Sequence, residues 1–280
     1  MNILPTKNNE KGQVVLIILL IMTVLLTIGL SIASHSITDI KISQQSQEAA
    51  RALWVAQAGL ERAIEGRVAV GSQVDSPEEL GGVEYWVTKS DVVGANIIFP
   101  EEVKANEPVT LWFVSHTENG EIDDTENYSG DIVLYWDSLG ESSKTALEAT
   151  LIYKYNNNFY SRRFTFDPDT SRSPETNFDQ AVNSSCVLSG KTFSYCSSPL
   201  SIVSSSAQKP YLMRIRFLFN SRPQALGISG SQDFPVQGSC YQSTARVKES
   251  GITRNLKECV LWKAFPLIFD YVVFSGEGIN

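Results

Sequence analysis

Twenty consecutive residues without a charge, Val14 to Ala33 (VVLIILLIMTVLLTIGLSIA), constrain this chain more than any other feature. At 1.5 Å per residue they extend about 30 Å as a helix, the thickness of a bilayer core. A run this long and this rich in Ile, Leu and Val reads as a membrane segment, with the interior helix of a globular domain as the alternative. Lys7 and Lys11 precede the run, and the segment after it is mixed in charge and soon acidic. Positive charge is retained in the cytoplasm, so the N-terminus is expected inside and the residues after about 35 outside. Three processing fates are open. The run can be a secretory signal cut near Ser31-Ile32-Ala33, an uncleaved anchor, or a segment preceded by a leader that is cut before it. A secretory h-region is only about 7–15 residues long, which weighs against the first fate.

The chain does not turn after the apolar run. Residues 34–65 contain no Pro and a single Gly, Gly59. Ile42, Ala49, Leu53, Ala56, Leu60 and Ala63 recur at helical steps and predict one amphipathic stripe. Gly66 is a plausible stop. The expectation is one helix from about 14 to 65, apolar all round in its first half and amphipathic in its second. It is too long for an ordinary globular domain.

Two segments of this helix carry a resemblance. Lys11-Gly12-Gln13, a basic residue and Gly directly before the apolar run, resembles the leader junction of type IV prepilins. Residues 49–63, AARALWVAQAGLERA, resemble the second-half helix of minor pilins of the PilX kind, to which the type II secretion pseudopilin GspK is related. The likeness covers roughly residues 7–65. It implies a leader at 1–12, a spine helix at 13–66 and an extracytoplasmic head at 67–280. It also implies cleavage between Gly12 and Gln13 by a prepilin peptidase, with N-methylation of the new α-amine of Gln13. Its partners would be other pilins through the N-terminal helix and an inner-membrane assembly machinery. The filament would be a type IV pilus or a related secretion pseudopilus.

Two positions depart from the pattern. Major pilins begin with Phe where this chain has Gln13. Four residues on they carry a Glu in the membrane run, where this chain has Ile17. A carboxylate there costs about 2.5–3.5 kcal/mol on insertion scales. It is tolerated because it meets the α-amine of a neighbouring subunit. Ile17 cannot do so, which fits a rare subunit at or near the tip better than the repeating subunit of a shaft. The alternative is a single-pass anchored binding module, adhesin-like, that enters no filament.

After Gly66 the pattern switches from helical spacing to alternation. Val83–Lys89, Val109–Ser115, Asp131–Asp137, Ala149–Tyr155, Phe159–Phe166, Leu212–Phe219, Gln242–Lys248, Val260–Phe265 and Leu267–Phe274 read as strands. The fold class is therefore α+β: a long spine helix with a β-rich antiparallel head, large enough for two lobes with a break near 170–185. Four cysteines, Cys186, Cys196, Cys240 and Cys259, form an even set in the segment expected outside. That favours two disulfides. The spacings suggest Cys186–Cys196 and Cys240–Cys259, though three connectivities are possible. No C-x-x-C spacing points to zinc.

Signals for chemistry are sparse. Lys and Arg total 23 against 31 Asp and Glu, a formal net charge of −8, which argues against nucleic acid as the main partner. The two histidines, His35 and His116, exclude sites built on several imidazoles. His116 borders an acidic segment containing Asp123, Asp124, Glu126 and Asp131. These carboxylates are Ca²⁺ candidates, since similar tip pseudopilins bind that ion, but the order lacks the EF-hand pattern and reads first as a solvated hairpin loop. There is no G-x-S-x-G and no P-loop, so neither catalysis nor a built-in ATPase is expected. Asn127-Tyr128-Ser129 and Asn183-Ser184-Ser185 match the glycosylation sequon and read as ordinary loops.

Overall fold

The computed structural model describes residues 10–66, 77–105, 107–117, 120–139, 144–184 and 186–264. Its first element is α1 (Glu10–Ile64), 55 residues without interruption. At 1.5 Å per residue it is about 80 Å long. No Pro occurs inside it. At its end Gly66 takes φ of 71° and its N–H bonds the carbonyl of Ala63 at 3.1 Å, the left-handed stop that Gly permits.

Among the described residues eighteen strands and one short helix come after it. The first nine strands are β1 (Glu78–Leu80), β2 (Val83–Asp91), β3 (Gly94–Ile98), β4 (Val109–Trp112), β5 (Val114–His116), β6 (Ile122–Asn127), β7 (Gly130–Trp136), β8 (Ala146–Tyr155) and β9 (Asn158–Asp167). A short α2 (Ser173–Thr176) precedes β10 (Asp179–Gln180), β11 (Val187–Leu188), β12 (Lys191–Thr192), β13 (Tyr195–Cys196) and β14 (Leu200–Ile202). The last four are β15 (Gln208–Leu218), β16 (Leu226–Phe234), β17 (Gly238–Val247) and β18 (Thr253–Leu261). The architecture is α+β: β10 pairs parallel with β9, and the remaining pairings within the two larger sheets of the second unit are antiparallel.

The chain forms two compact units. One comprises Met1–Thr88 with Gln242–Leu256, the other Lys89–Tyr241 with Lys257–Asn280. Segment 170–185 lies wholly in the second. The last turns of α1 meet residues of β2 and β17 that belong to the first unit, in a sheet ordered β1-β2-β17-β18. Val83, Tyr85 and Val87 alternate inward on β2, and Ser243, Ala245 and Val247 do so on β17.

The second unit is a two-sheet sandwich. One sheet runs β10-β9-β8-β15-β4, the other β13-β7-β16-β3 with β14 also on β7. Leu147, Ala149, Leu151, Met213, Ile215 and Phe217 of the first face Ile132, Leu134, Trp136, Leu226 and Ile228 of the second across one buried core. Trp136 is fully buried and its indole N–H donates to the carbonyl of Thr145 at 2.9 Å, so its polar atom is satisfied. Gln237 is also buried and bridges the backbone of Trp112, accepting from its N–H at 2.7 Å and donating to its carbonyl at 2.9 Å.

Expectations of strand and loop change in several places. The run Val109–Ser115 is broken at Phe113, whose N–H goes to Tyr211 and whose carbonyl takes Tyr128, because β4 pairs with β15 while β5 pairs with β6. The acidic segment expected as a loop forms β6. The strand expected at Val260–Phe265 begins at Thr253 and ends at Leu261. The run Leu267–Phe274 lies outside the described residues.

Candidate functional site

The feature with functional content is α1 itself, because its two parts have opposite environments. From Val14 to Gln47 every residue is exposed. The apolar run is long and apolar enough to cross a membrane, and none of it is buried. So large a bare apolar surface is not left in water by a folded protein. Ile17 is 55% exposed among neighbours that are all apolar. Gly12 and Gln13 lie in the first turn of α1.

The second part is seated on the sheet of the first unit. The buried residues are Ala52, Val55, Ala56, Gly59, Leu60 and Ala63. This stripe is rotated from the expected one. Leu53, assigned to the buried face by spacing, is 41% exposed, and Trp54 beside it is 67% exposed. Small residues explain the rotation, since Ala52, Ala56, Gly59 and Ala63 let the helix come close to the sheet. At Gly59 the approach is closest. A Cβ there would lie 2.5 Å from Cδ2 of Tyr85 and 3.0 Å from the hydroxyl oxygen of Ser243. Gly59 is thus required by contact and not by backbone conformation.

Polar bonds fix the same junction. The Tyr85 hydroxyl donates to Glu78 Oε2 at 2.5 Å and accepts from Arg62 Nη1 at 3.2 Å. Burial, followed by the carboxylate of Glu78, holds the Tyr85 phenol above its ordinary value, so it stays protonated at neutral pH. Arg51 donates from its guanidinium to the carbonyl of Gly81, in the turn between β1 and β2. Beside this bond Gln47, Ala50, Trp54, Val55, Leu80 and Gly81 line a shallow groove of about 490 Å³. The aromatic Trp54 is therefore held at the edge of an open groove.

The four cysteines form two disulfides, Cys186–Cys196 and Cys240–Cys259, and no free thiol remains among the described residues. Cys240 and Cys259 tie β17 to β18, and Cys196 lies where β13 pairs with β7.

The acidic candidates do not converge. Strand alternation directs neighbouring residues of β6 to opposite faces. Asp123 caps its own turn, accepting from the N–H and hydroxyl of Thr125 at 3.0 and 2.7 Å. Asp124 accepts from the Tyr211 hydroxyl at 2.5 Å, which holds its carboxyl below the usual range. Asp131 sits on β7, with Glu126 elsewhere on β6. Among the described residues no group of three or more His, Cys, Asp or Glu is placed to hold a metal ion. The Ca²⁺ candidates are therefore corrected to strand residues that do not form one site. His116 is packed between indoles, 4.6 Å from Trp112 edge-on and 4.9 Å from Trp262 in a stack. Burial lowers its pKa, so the ring is neutral packing. Asn127, of the first sequon, donates its side-chain amide to the carbonyl of Pro210 at 3.0 Å.

The stretch Asp167-Pro168-Asp169 belongs to an anchor that sequence reasoning missed. Arg172 grips the buried carboxylate of Asp167 with Nε and Nη2 at 2.8 and 2.6 Å. The pairing raises the pKa of Arg172. Only the Asp-Pro-Asp spelling of a turn hinted at it.

The chain matches no protein-family model, and no curated protein sequence matches it.

Proposed function

We propose that this chain is a minor pilin or pseudopilin subunit, at or near the tip of a type IV pilus or related secretion filament. The observation that carries the reading is α1: one unbroken helix, bare and apolar in its first part and seated on a sheet in its last turns. A helix so built serves two surroundings in turn. It holds the subunit in the cytoplasmic membrane, N-terminus inside and disulfide-bonded head outside, and then packs against the helices of other subunits. Prepilin peptidase would cut between Gly12 and Gln13 and expose an α-amine for methylation. Assembly would draw the helix laterally out of the bilayer, driven by a separate ATPase, so that apolar contacts with lipid become apolar contacts with protein. Trp54 and the adjoining groove offer a further contact for a neighbouring subunit. The reading assigns the chain no catalysis.

Ile17 supports the tip position. Without a carboxylate in the membrane run, this subunit has nothing to pair with a neighbour's α-amine, and a shaft position leaves that charge uncompensated. The test is immunogold labelling and mass spectrometry of sheared filaments from the native host. The expected outcome is this chain in the sheared fraction at low abundance, with gold at filament ends. Label along the whole shaft contradicts the tip position. Absence from every filament, with the chain retained in membranes, favours the anchored binding module. Ile17→Glu is expected to move gold from the ends into the shaft.

A further inference from the structure

The hairpin of β8 and β9 carries a second site, within the second unit and remote in sequence from the helix. Its turn is Asn156-Asn157, with φ of 47° and 73°, the paired positive values of a two-residue hairpin turn that Asn accepts. The N–H of Asn156 is tied to the carbonyl of Ala207 at 3.0 Å. Against this turn lies a cavity of about 150 Å³ lined by Asp124, Lys154, Asn156, Asn157, Ser206 and Lys209. On the adjoining strands Lys154 stands opposite Phe159 of β9 and opposite Lys209 of β15, so the three share one face.

A bulge completes the site. The register between β15 and β8 shifts between Pro210 and Leu212, and Tyr211 is the extra residue. Bulges re-aim side chains in this way. The Tyr211 ring meets Phe159 edge-on at 5.2 Å, while its hydroxyl bonds Asp124. Lys209 donates to the carbonyl of Asp124 at 2.9 Å and lies 3.5 Å from its carboxylate. Asp124, Lys209 and Tyr211 thus satisfy one another. Lys154 acts on Asp124 only as a charge at longer range. Its ammonium is left without a hydrogen bond or close ion pair among the described residues, as are the side-chain amides of Asn156 and Asn157. Phe159 is 62% exposed at the rim.

We infer that this hairpin pocket binds an acidic sugar, a sialic or uronic acid residue of a glycan. One ammonium with open donors matches one carboxylate. Two free amides and the Ser206 hydroxyl match vicinal hydroxyls, which both donate and accept. The exposed Phe159 ring offers a flat apolar face to the C–H face of a pyranose.

The test uses the full chain in detergent micelles and saturation-transfer NMR. The probes are sialyllactose and a hyaluronan hexasaccharide, with lactose and inorganic phosphate as comparators. The acidic sugars are expected to bind, and Lys154→Gln to weaken them about tenfold. Lys154→Arg should retain binding, Phe159→Ala should weaken it, and Tyr160→Ala, on the opposite face of the hairpin, should leave it unchanged. Neither Lys154 nor Phe159 is buried, so unchanged melting temperatures separate lost binding from lost folding. Three results overturn the inference: no acidic sugar binding at millimolar concentration, equal binding by wild type and the Lys154→Gln and Phe159→Ala variants, or displacement of the sugar by an equal concentration of phosphate. The site stands or falls independently of filament assembly, since every residue in it lies between 124 and 211.

Discussion

Gly59 shows how much one side chain decides here. The Tyr85 ring occupies the space that a Cβ would need, and Tyr85 is itself held by Glu78 and Arg62. Gly59→Ala must therefore shift a buried, hydrogen-bonded ring or lift the helix. The gain in helix propensity is about 1 kcal/mol; overpacking costs about 1–3 kcal/mol. A net loss of about 1 kcal/mol in urea unfolding of the first unit is expected, and Tyr85→Leu in the same chain should recover part of it. A stabilised Gly59→Ala variant contradicts the close contact. Tyr211 gives a residue-scale prediction in pH. Burial first, and the bond to Asp124 second, push its phenol up to about 12 from an ordinary 10.0. The folded state keeps this proton longer than the unfolded chain does. Its contribution is complete below pH 10 and is lost as pH rises towards 12. Tyr211→Phe should flatten the alkaline fall in stability over that window; an unchanged fall contradicts the bond.

At the scale of elements, what the sequence revealed depended on whether one residue pattern answered to one environment. The helix was legible because no Pro interrupts it and its apolar run is unmistakable. Its buried face was displaced by about one residue, because Leu53 outweighed the small residues by hydrophobicity, whereas contact with the sheet selects smallness. Strands β2 and β7, with plain alternation, were legible, and so were β8 and β9 from their β-branched and aromatic residues. Strand β16 was not, since Gly227 and Gly230 interrupt its pattern. Strand β6 was not, since its charged residues look like a loop and only pairing with β5 makes it a strand. The disulfide pairing agreed with the spacing, while the Arg172–Asp167 anchor and the pocket at Asn156-Asn157 depend on contacts that no local pattern spells out. The Cys240–Cys259 bond closes 19 residues of separation and ties two adjacent strands. Replacing both cysteines with serine should cost about 2–4 kcal/mol, read as a lower melting temperature against an unreduced control. A variant that melts with wild type shows the bond to be dispensable.

At the scale of the whole molecule, the chain contains surfaces with different solvent requirements. A helix that is long and apolar enough to cross a membrane is continuous with a β-rich head held by two disulfides, which fits a single-pass membrane protein. The bare apolar half needs lipid or other helices around it, and the head needs an oxidising aqueous surrounding. The proposed pilin-like processing would join these requirements in one sequence of events, and cleavage at Gly12 would be the step that separates it from simple anchoring. The most direct measurement is the N-terminus of the mature protein from the native host, by intact mass and terminal sequencing. The account predicts a chain that begins at N-methylated Gln13. A chain that retains Met1 in cells with active prepilin peptidase, or one that begins near Ser34, contradicts it.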